Sequence, residues 1–173
     1  MKPVKPRPVK LFCGVLYKGE EDIEAAVKKL QKKFGPIELI SPLYDFNFTD
    51  YYEEEFSNNL KKKFLVFTKL IDPESIADIK LFTNKIEQKY TKKGKRIFNL
   101  DPGYLSLENL ILPSAKPRPH RIYLRKGIYA DPVYIFTKNE AIEFKHTFPD
   151  FKELSVKNFF VDLRKKYLEQ LKH

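Results

Sequence analysis

Tryptophan is absent from this 173-residue chain, and cysteine occurs only once, at Cys13. A single cysteine excludes an internal disulfide framework, so the fold must rest on its own hydrophobic core, and a reducing compartment is expected. No apolar run approaches the ~18 residues that a membrane-spanning helix needs, and prolines interrupt the first ten residues, where a secretory leader is apolar. These absences predict a cytoplasmic protein without a membrane partner.

Glycine is also scarce, and its six positions never form the Gly-x-x-x-x-Gly-Lys-Ser/Thr pattern with which a P-loop surrounds phosphates. Asn84-Lys85-Ile86-Glu87 resembles the guanine-reading Asn-Lys-x-Asp motif, but its last residue differs and the segment has a helical pattern. The sequence therefore indicates no P-loop GTPase machinery. Three histidines and one cysteine show no paired ligand spacing, so we expect no metal site and no cofactor.

Positive charge, in contrast, is abundant. Lys and Arg number 33 against 23 Asp and Glu, which gives a net charge of +10. Such an excess attracts phosphate-bearing partners, among them RNA and nucleotides, over long range. The alternative is that the lysines only keep the surface soluble.

The first third of the chain has the pattern of an arm, a strand and a helix. Residues 1–8 are basic and rich in proline, which predicts a flexible, extended arm. Residues 11–17 form an apolar run typical of a buried strand. Glu20–Phe34 has helical spacing, acids in its first turn and lysines in its last, and Gly35-Pro36 ends it.

An extended pattern follows over residues 37–40 and 43–49, interrupted by Pro42, and predicts the second strand; a third is predicted over residues 63–70. Between these two strands, Thr49 is placed to cap a short helical turn over residues 50–55. Asp72-Pro73-Glu74 then predicts the start of a helix that runs to about residue 90. One face of this helix carries three polar residues at a spacing that lets them touch a common neighbour: Lys80, Asn84 and Glu87.

A fourth strand over residues 95–101 leads into Asp101-Pro102-Gly103, which is turn chemistry and predicts that Asn99 and Asp101 leave a strand end together. The element order is strand, helix, strand, strand, helix, strand. This order predicts an α+β protein with a ferredoxin-like core, in which two helices cover one face of a four-stranded antiparallel sheet. We place that core at about residues 9–104 of a single domain that spans residues 9–173.

The extension, residues 105–173, is predicted to contain more strands and a last helix. A hairpin turns at Lys126-Gly127, and its strands either extend the core sheet or form a second one. Ser155 is placed to cap the last helix, whose apolar stripe needs a surface on which to dock.

Several motifs stand out when they are taken together. They are Asp45-Phe46-Asn47-Phe48-Thr49-Asp50-Tyr51-Tyr52, Ala77-Asp78-Ile79-Lys80-Leu81-Phe82-Thr83-Asn84, Asn99-Leu100-Asp101-Pro102-Gly103-Tyr104, and His120-Arg121-Ile122-Tyr123-Leu124 to Gly127-Ile128-Tyr129-Ala130. With these motifs nearly the whole chain resembles the bacterial domain of unknown function 4416. The resemblance implies a small cytosolic bacterial protein and no established activity, although the family sometimes carries a GTP-binding label.

The polar residues near the fourth strand and the hairpin form the candidate site. We favour a protein that binds a phosphate-bearing ligand, RNA or a nucleotide, through cations interleaved with aromatic rings. The candidate ligand-binding residues are Lys80, Asn84, Glu87, Asn99, Lys116, Arg121, Tyr123 and Tyr129. The aromatic rings contribute only if Tyr123 or Tyr129 is exposed beside the cations.

The alternative is a small enzyme that acts on an anionic substrate, with Asp101 and His120 as the acid–base pair and Arg121 or Lys116 as the anion-binding group. A structural interpretation also fits these residues. In it Asp101 only forms a turn, His120 is an ordinary surface or core residue, and the helix polar residues form a solvated face.

Overall fold

The structure, a computed structural model, describes residues 2–46 and 59–173. Within these ranges the chain forms eleven strands and four α-helices. In chain order they are β1 (Val9–Tyr17), α1 (Glu20–Phe34), β2 (Ile37–Ile40), β3 (Tyr44–Phe46), β4 (Leu60–Ile71), α2 (Ile76–Lys89), β5 (Thr91–Lys92), β6 (Lys95–Arg96), β7 (Phe98–Leu105), β8 (Asn109–Ser114), β9 (Ile122–Arg125), β10 (Ile128–Phe136), β11 (Ala141–Glu143), α3 (Pro149–Lys152) and α4 (Leu154–Gln170).

Nine of the described strands form one sheet, in the order β11-β10-β8-β7-β1-β4-β2, with β3 also paired to β4 and β9 to β10. Each of these pairings is antiparallel. The prediction of a mixed fold built on an antiparallel sheet is confirmed at this level. The later strands extend the core sheet, because β8 pairs with β7 and carries β10 on its other side.

Helices cover both faces of this sheet. Alternate residues of a strand point to opposite sides, so each central strand contributes to a core on each face. On one side α1 and α2 pack against a core that includes Leu11 and Cys13 of β1. On the other side α4 packs its apolar stripe, with Phe160 at its centre, against a core that includes Phe12 and Phe64. The stripe predicted for the last helix therefore docks on the sheet face opposite α1 and α2.

The helix boundaries follow local signals. The bounds of α1 match the prediction, and Gly35 ends the helix at a φ of +90°, which favours glycine. At the predicted start of α2, Asp72 accepts the N–H of Glu74, but the first turn, Pro73–Ser75, is a 3₁₀ turn. The predicted Ser155 cap is wrong, because α4 begins at Leu154 and follows directly on the short α3.

The predicted turn at Asp101-Pro102-Gly103 is also wrong, since β7 continues through these residues to Leu105. Proline lacks an N–H, but β8 pairs with β7 only from Tyr104 onward, so among the described strands the earlier part of β7 has one neighbour, β1. Asn99 and Asp101 consequently project from within a strand and not from a strand end.

Gly103 does not form a turn. A glycine is required there because neighbouring side chains pack closely against its Cα. A Cβ at this position would lie 2.4 Å from Cζ of Phe12 and 2.7 Å from Cδ2 of Leu112. The contact also shows that Gly103 faces the α4 side of the sheet, together with Phe12 and Leu112. Asp101, two residues earlier on the same strand, shares that face.

The N-terminal segment, residues 2–8, is exposed and has no regular secondary structure. Lys5 forms an ion pair with Asp72, and the hydroxyl of Tyr167 donates to the carbonyl of Pro8. The predicted helical turn over residues 50–55 lies outside the described residues. Among residues 2–46 and 59–173, no helix combines the length and the hydropathy that crossing a membrane demands.

Candidate functional site

Among the described residues, the edge of β7 at Leu100 is completed by a helix and not by a strand. The backbone N–H of Leu100 donates to Oε1 of Glu87 at 2.6 Å, and its carbonyl accepts from Nζ of Lys80 at 3.3 Å. Lys80 and Glu87 lie seven residues apart on α2, which is two helical turns, so both reach the same strand residue. Both are buried, whereas the structural interpretation of the sequence expected a solvated face.

These contacts belong to a set of side chains that we call the β7 edge network: Lys80, Glu87, Arg96, Asn99 and Asp101. Lys80 donates to Asp101 at 3.1 Å, and the Asn99 amide donates to the other carboxylate oxygen. Arg96 donates to Glu87 at 3.0 Å and to the Asn99 side-chain oxygen at 2.8 Å. Each charged member therefore has a partner of opposite charge within the network.

The pKa values of the two acids in the network, Asp101 and Glu87, are shifted in opposite directions. Burial acts to raise the pKa of Asp101, but the cations Lys80 and Lys62 outweigh it, so this pKa lies below the usual aspartate range. Burial raises the pKa of Glu87 above the usual glutamate value, although Lys80 and the Leu100 N–H oppose this shift. A carboxylate whose pKa is lowered accepts a proton poorly, so Asp101 is a weak general base.

A second group, the histidine cluster, consists of His120, Asp131 and His146. His120 precedes β9, Asp131 lies within β10, and His146 follows β11, so three separate segments meet. One nitrogen or oxygen atom from each side chain lies within 4.8 Å of the others. Asp131 is only 2% exposed, and its Oδ1 faces Nε2 of His120 at 3.5 Å and Nε2 of His146 at 3.8 Å.

Ring stacking orders the histidine cluster. The imidazole rings of His120 and His146 lie parallel within 11°, with their centroids 3.7 Å apart, and Phe144 stacks on His146. Nε2 of His146 lies 2.9 Å from the carbonyl oxygen of Pro132 and donates to it in the tautomer that carries a proton there.

Arg121 joins the histidine cluster to the basic loop before β9. Its Nε donates to Oδ2 of Asp131 at 2.8 Å, and its Nη1 donates to the Ser114 hydroxyl at 2.9 Å and to the Lys116 carbonyl at 2.7 Å. Its backbone N–H donates to the carbonyl of Arg118 at 3.0 Å. Arg121 thus shapes loop 115–119, and its side chain is only 7% exposed.

The hairpin of β9 and β10 presents aromatic rings next to this loop. Tyr123 is 58% exposed and meets Tyr129 edge to face, with ring centroids 5.3 Å apart. Farther along the hairpin, Arg125 and Lys126 both pair with Asp78 of α2. Loop 115–119 carries two cations, Lys116 and Arg118, and both are exposed.

A known protein family covers most of this chain. The family model described as a domain of unknown function, DUF4416, matches residues 7–167. The chain belongs to the DUF4416 family. The resemblance inferred from the motifs is thereby confirmed, and both clusters lie inside the matched region. Neither the curated proteins nor the solved structures contain a significant match to this chain.

In this DUF4416 protein the predicted site residues separate into two groups. Lys80, Glu87 and Asn99 join Asp101 in the β7 edge network, where their polar groups bind one another and the Leu100 backbone. The remaining helix residue, Asn84, is half-buried. The second group, around the histidine cluster and loop 115–119, contains Lys116, His120, Arg121, Tyr123 and Tyr129.

Asp101 and His120 therefore have different partners. Asp101 pairs with Lys80 and Asn99, whereas Nε2 of His120 lies 3.5 Å from Oδ1 of Asp131 and its ring stacks on His146. The two clusters do leave the same face of the sheet, because Asp131 pairs in register with Leu112, which faces the α4 side. Strand β8 lies between them.

Sequence reasoning about this DUF4416 chain missed Asp131 and His146. The spacing of histidines along the chain gave no indication of a ligand set, since the three residues of the cluster come from distant segments. One signal was present in the sequence: Asp131 interrupts the otherwise mostly apolar strand Ile128–Phe136, and a buried carboxylate requires partners.

A further polar pair lies on the same face of the DUF4416 sheet. Lys62 of β4 pairs with Asp150 of α3, and its ammonium group lies 4.7 Å from the ring centroid of Phe151. Both residues line a cavity of about 230 Å³, together with Tyr44, Phe46 and Phe64. The lysine has a carboxylate and aromatic rings as partners, which accounts for its burial.

Proposed function

We propose that this protein binds a phosphate-bearing ligand, RNA or a nucleotide, on a surface formed by Lys116, Arg118, Tyr123 and Tyr129, here named the loop–β9 surface. The two cations neutralise phosphates, and the Tyr123 ring stacks on a base. Both interactions are typical of proteins that bind single-stranded nucleic acids.

The observation that carries this proposal is the exposure of Tyr123. Tyr123 lies on the exposed strand β9, its ring is 58% exposed, and the ring is positioned by its contact with Tyr129. Loop 115–119 is fastened to Arg121, two residues before Tyr123, so its cations and the exposed ring lie close along the chain.

We propose for Arg121 a role other than the ligand contact that the sequence predicted. Its guanidinium group already donates to Asp131, Ser114 and Lys116. We therefore assign it the positioning of the loop, and the phosphate contacts to Lys116 and Arg118. A binding experiment should accordingly leave Arg121 intact, because its loss disturbs a buried ion pair.

The experiment is a titration of the full chain with fluorescein-labelled single-stranded RNA and, separately, with nucleoside triphosphates, at about 50 and about 200 mM salt. We expect binding that weakens steeply with salt. We expect Lys116→Ala/Arg118→Ala to weaken it about tenfold or more, and Tyr123→Ala to weaken it by roughly 1–3 kcal/mol, the value of one stacked base.

The matched control is Lys32→Ala/Lys89→Ala, which removes the same charge from exposed positions on α1 and α2, on the opposite side of the sheet. This control should bind like the wild type. Equal weakening by both double variants would reduce the proposal to a general charge effect. The absence of binding to RNA and to nucleotides at low salt would contradict it.

A second candidate function is a small enzyme that acts on an anionic substrate, with Asp101 and His120 as the acid–base pair. In its favour, the two clusters leave the same face of the sheet. A substrate would have to bridge them across β8. Phosphate release from nucleotides by the wild type, lost in both Asp101→Asn and His120→Gln, would support this candidate; loss in only one would exclude the pairing.

We also propose that the central part of the sheet is a ferredoxin-like core. The strand order β7-β1-β4-β2, with α1 after β1 and α2 after β4, is the order that a split βαβ unit produces.

A cytoplasmic location is part of the proposal. The single cysteine, Cys13, is a buried thiol in β1, and burial raises its pKa, so it stays protonated.

A further inference from the structure

We propose that the histidine cluster binds one divalent transition-metal ion of the zinc or ferrous-iron class, with His120, Asp131 and His146 as its three protein ligands. Two imidazoles and one carboxylate, with the remaining positions open, are the donor set of many zinc enzymes and of non-haem iron sites. Imidazole ligands favour such ions over magnesium or calcium.

The distances fit an ion better than they fit hydrogen bonds. Oδ1 of Asp131 lies 3.5 Å from Nε2 of His120 and 3.8 Å from Nε2 of His146. An N–H···O hydrogen bond is about 3 Å long, so neither contact is one. Ligand atoms bound at about 2.0–2.2 Å to one ion lie roughly 3–3.5 Å from one another, which small side-chain shifts achieve here.

The carboxylate is held as a metal ligand requires. Asp131 is buried, and Arg121 binds its Oδ2 at 2.8 Å, which leaves Oδ1 directed at the two histidines. Arg121 is itself fixed by the Ser114 hydroxyl and the Lys116 carbonyl. Such outer contacts hold the ligands of metal sites in a fixed orientation.

Metal binding has two local requirements. In the tautomer whose Nε2 proton binds the Pro132 carbonyl, that proton must leave His146, because the metal takes the nitrogen lone pair. The stacked rings of His120 and His146 must also tilt, since each lone pair lies in the plane of its ring. Rotation about side-chain bonds provides this tilt, and His120 is only partly buried.

This site is independent of the proposed function. It uses none of the side chains of the loop–β9 surface, so either proposal can fail while the other stands. The two are neighbours, because Tyr129 and Asp131 are two residues apart on β10 and share a face. An ion with open positions there accepts water or an anionic oxygen of a ligand.

The test is calorimetric titration of the full chain with Zn²⁺ in chelator-free buffer, with visible absorption of bound Co²⁺ as a second measurement. The variants are His120→Gln and His146→Gln. The control is His173→Gln, which alters the remaining histidine of the chain, at its C-terminus. Far-UV circular dichroism checks folding, and if His146→Gln does not fold, His120→Gln alone decides.

We expect one Zn²⁺ ion per chain for the wild type and for His173→Gln, and affinity weaker by about tenfold or more in the cluster variants. The Co²⁺ bands should disappear from the same variants. Zn²⁺ binding that is as tight in His120→Gln as in the wild type would overturn the proposal, and so would the lack of saturable Zn²⁺ binding by the wild type.

Discussion

Glu87 accepts the backbone N–H of Leu100 at 2.6 Å, so a helix side chain takes the place of a neighbouring strand at the edge of β7. Lys80, two turns earlier on α2, binds the Leu100 carbonyl in the same way. An unpaired strand edge exposes backbone groups that invite pairing with another chain. Here α2 protects the edge where β8 diverges from it.

Glu87→Ala should therefore destabilise the protein by about 2–4 kcal/mol, because it leaves a buried backbone N–H without its acceptor and removes a partner of Arg96. Urea denaturation at neutral pH measures the loss. The control is Glu24→Ala, whose exposed pair with Lys28 on α1 should contribute little. Equal losses in the two variants would contradict the role of Glu87.

Arg121→Ala should destabilise the protein by about 3–5 kcal/mol, since it leaves Asp131 as a buried charge without its closest cation. The control is Lys126→Ala, five residues after Arg121. It removes one member of the exposed Lys126–Asp78 ion pair, so it should change stability little. Thermal unfolding of both variants tests this difference. A fully stable Arg121→Ala protein would contradict the contribution of the buried Arg121–Asp131 ion pair.

Gly103→Ala should cost about 1–3 kcal/mol, because the added Cβ overlaps with the Phe12 ring and with the backbone of Ile111. Phe12→Leu replaces the ring by a smaller side chain. In the double variant it should therefore recover part of the stability lost in Gly103→Ala, as expected for residues in contact. Denaturation of the two single variants and the double variant gives the coupling. Strict additivity would argue against the packing explanation for Gly103.

Asp101→Asn should lower stability at neutral pH and much less in acid. The folded-state pKa of Asp101 is lowered, so its ionised form contributes stability above the unfolded pKa of about 3.9, and this contribution is lost as pH falls through the folded pKa. Urea denaturation at about pH 7, 5 and 3 compares the variant with the wild type. A stability difference that stays constant over this range would contradict the shift.

Local signals in the sequence predicted local structure well. Acids, lysines and Gly35 mark the bounds of α1, and the Lys126-Gly127 turn joins β9 to β10, with both residues at positive φ. Asp101-Pro102-Gly103 has the composition of a turn as well, but two tertiary contacts decide its conformation. Phe12 leaves no room for a Cβ at Gly103, and β1 pairs with the strand throughout.

The candidate site was predictable only in part, for a related reason. Lys80 and Glu87 were identified by their shared helix face, yet only the fold shows that this face meets the Leu100 backbone. His120 was identified, whereas Asp131 and His146 were not, because the cluster forms where β10 and the segment after β11 come together. Spacing along the chain carries no information about such a meeting point.

The most direct test of the proposed ligand surface is ultraviolet crosslinking of 4-thiouridine-containing RNA to the full chain, followed by tryptic digestion and mass spectrometry. Cleavage at the basic residues releases Tyr123 in the β9 peptide Ile122–Arg125 and Tyr129 in the peptide spanning residues 127–138. We expect the crosslinked nucleotide on the β9 peptide, at reduced yield in Lys116→Ala/Arg118→Ala. Crosslinks confined to the arm at residues 2–8 or to α1 and α2 would contradict the account.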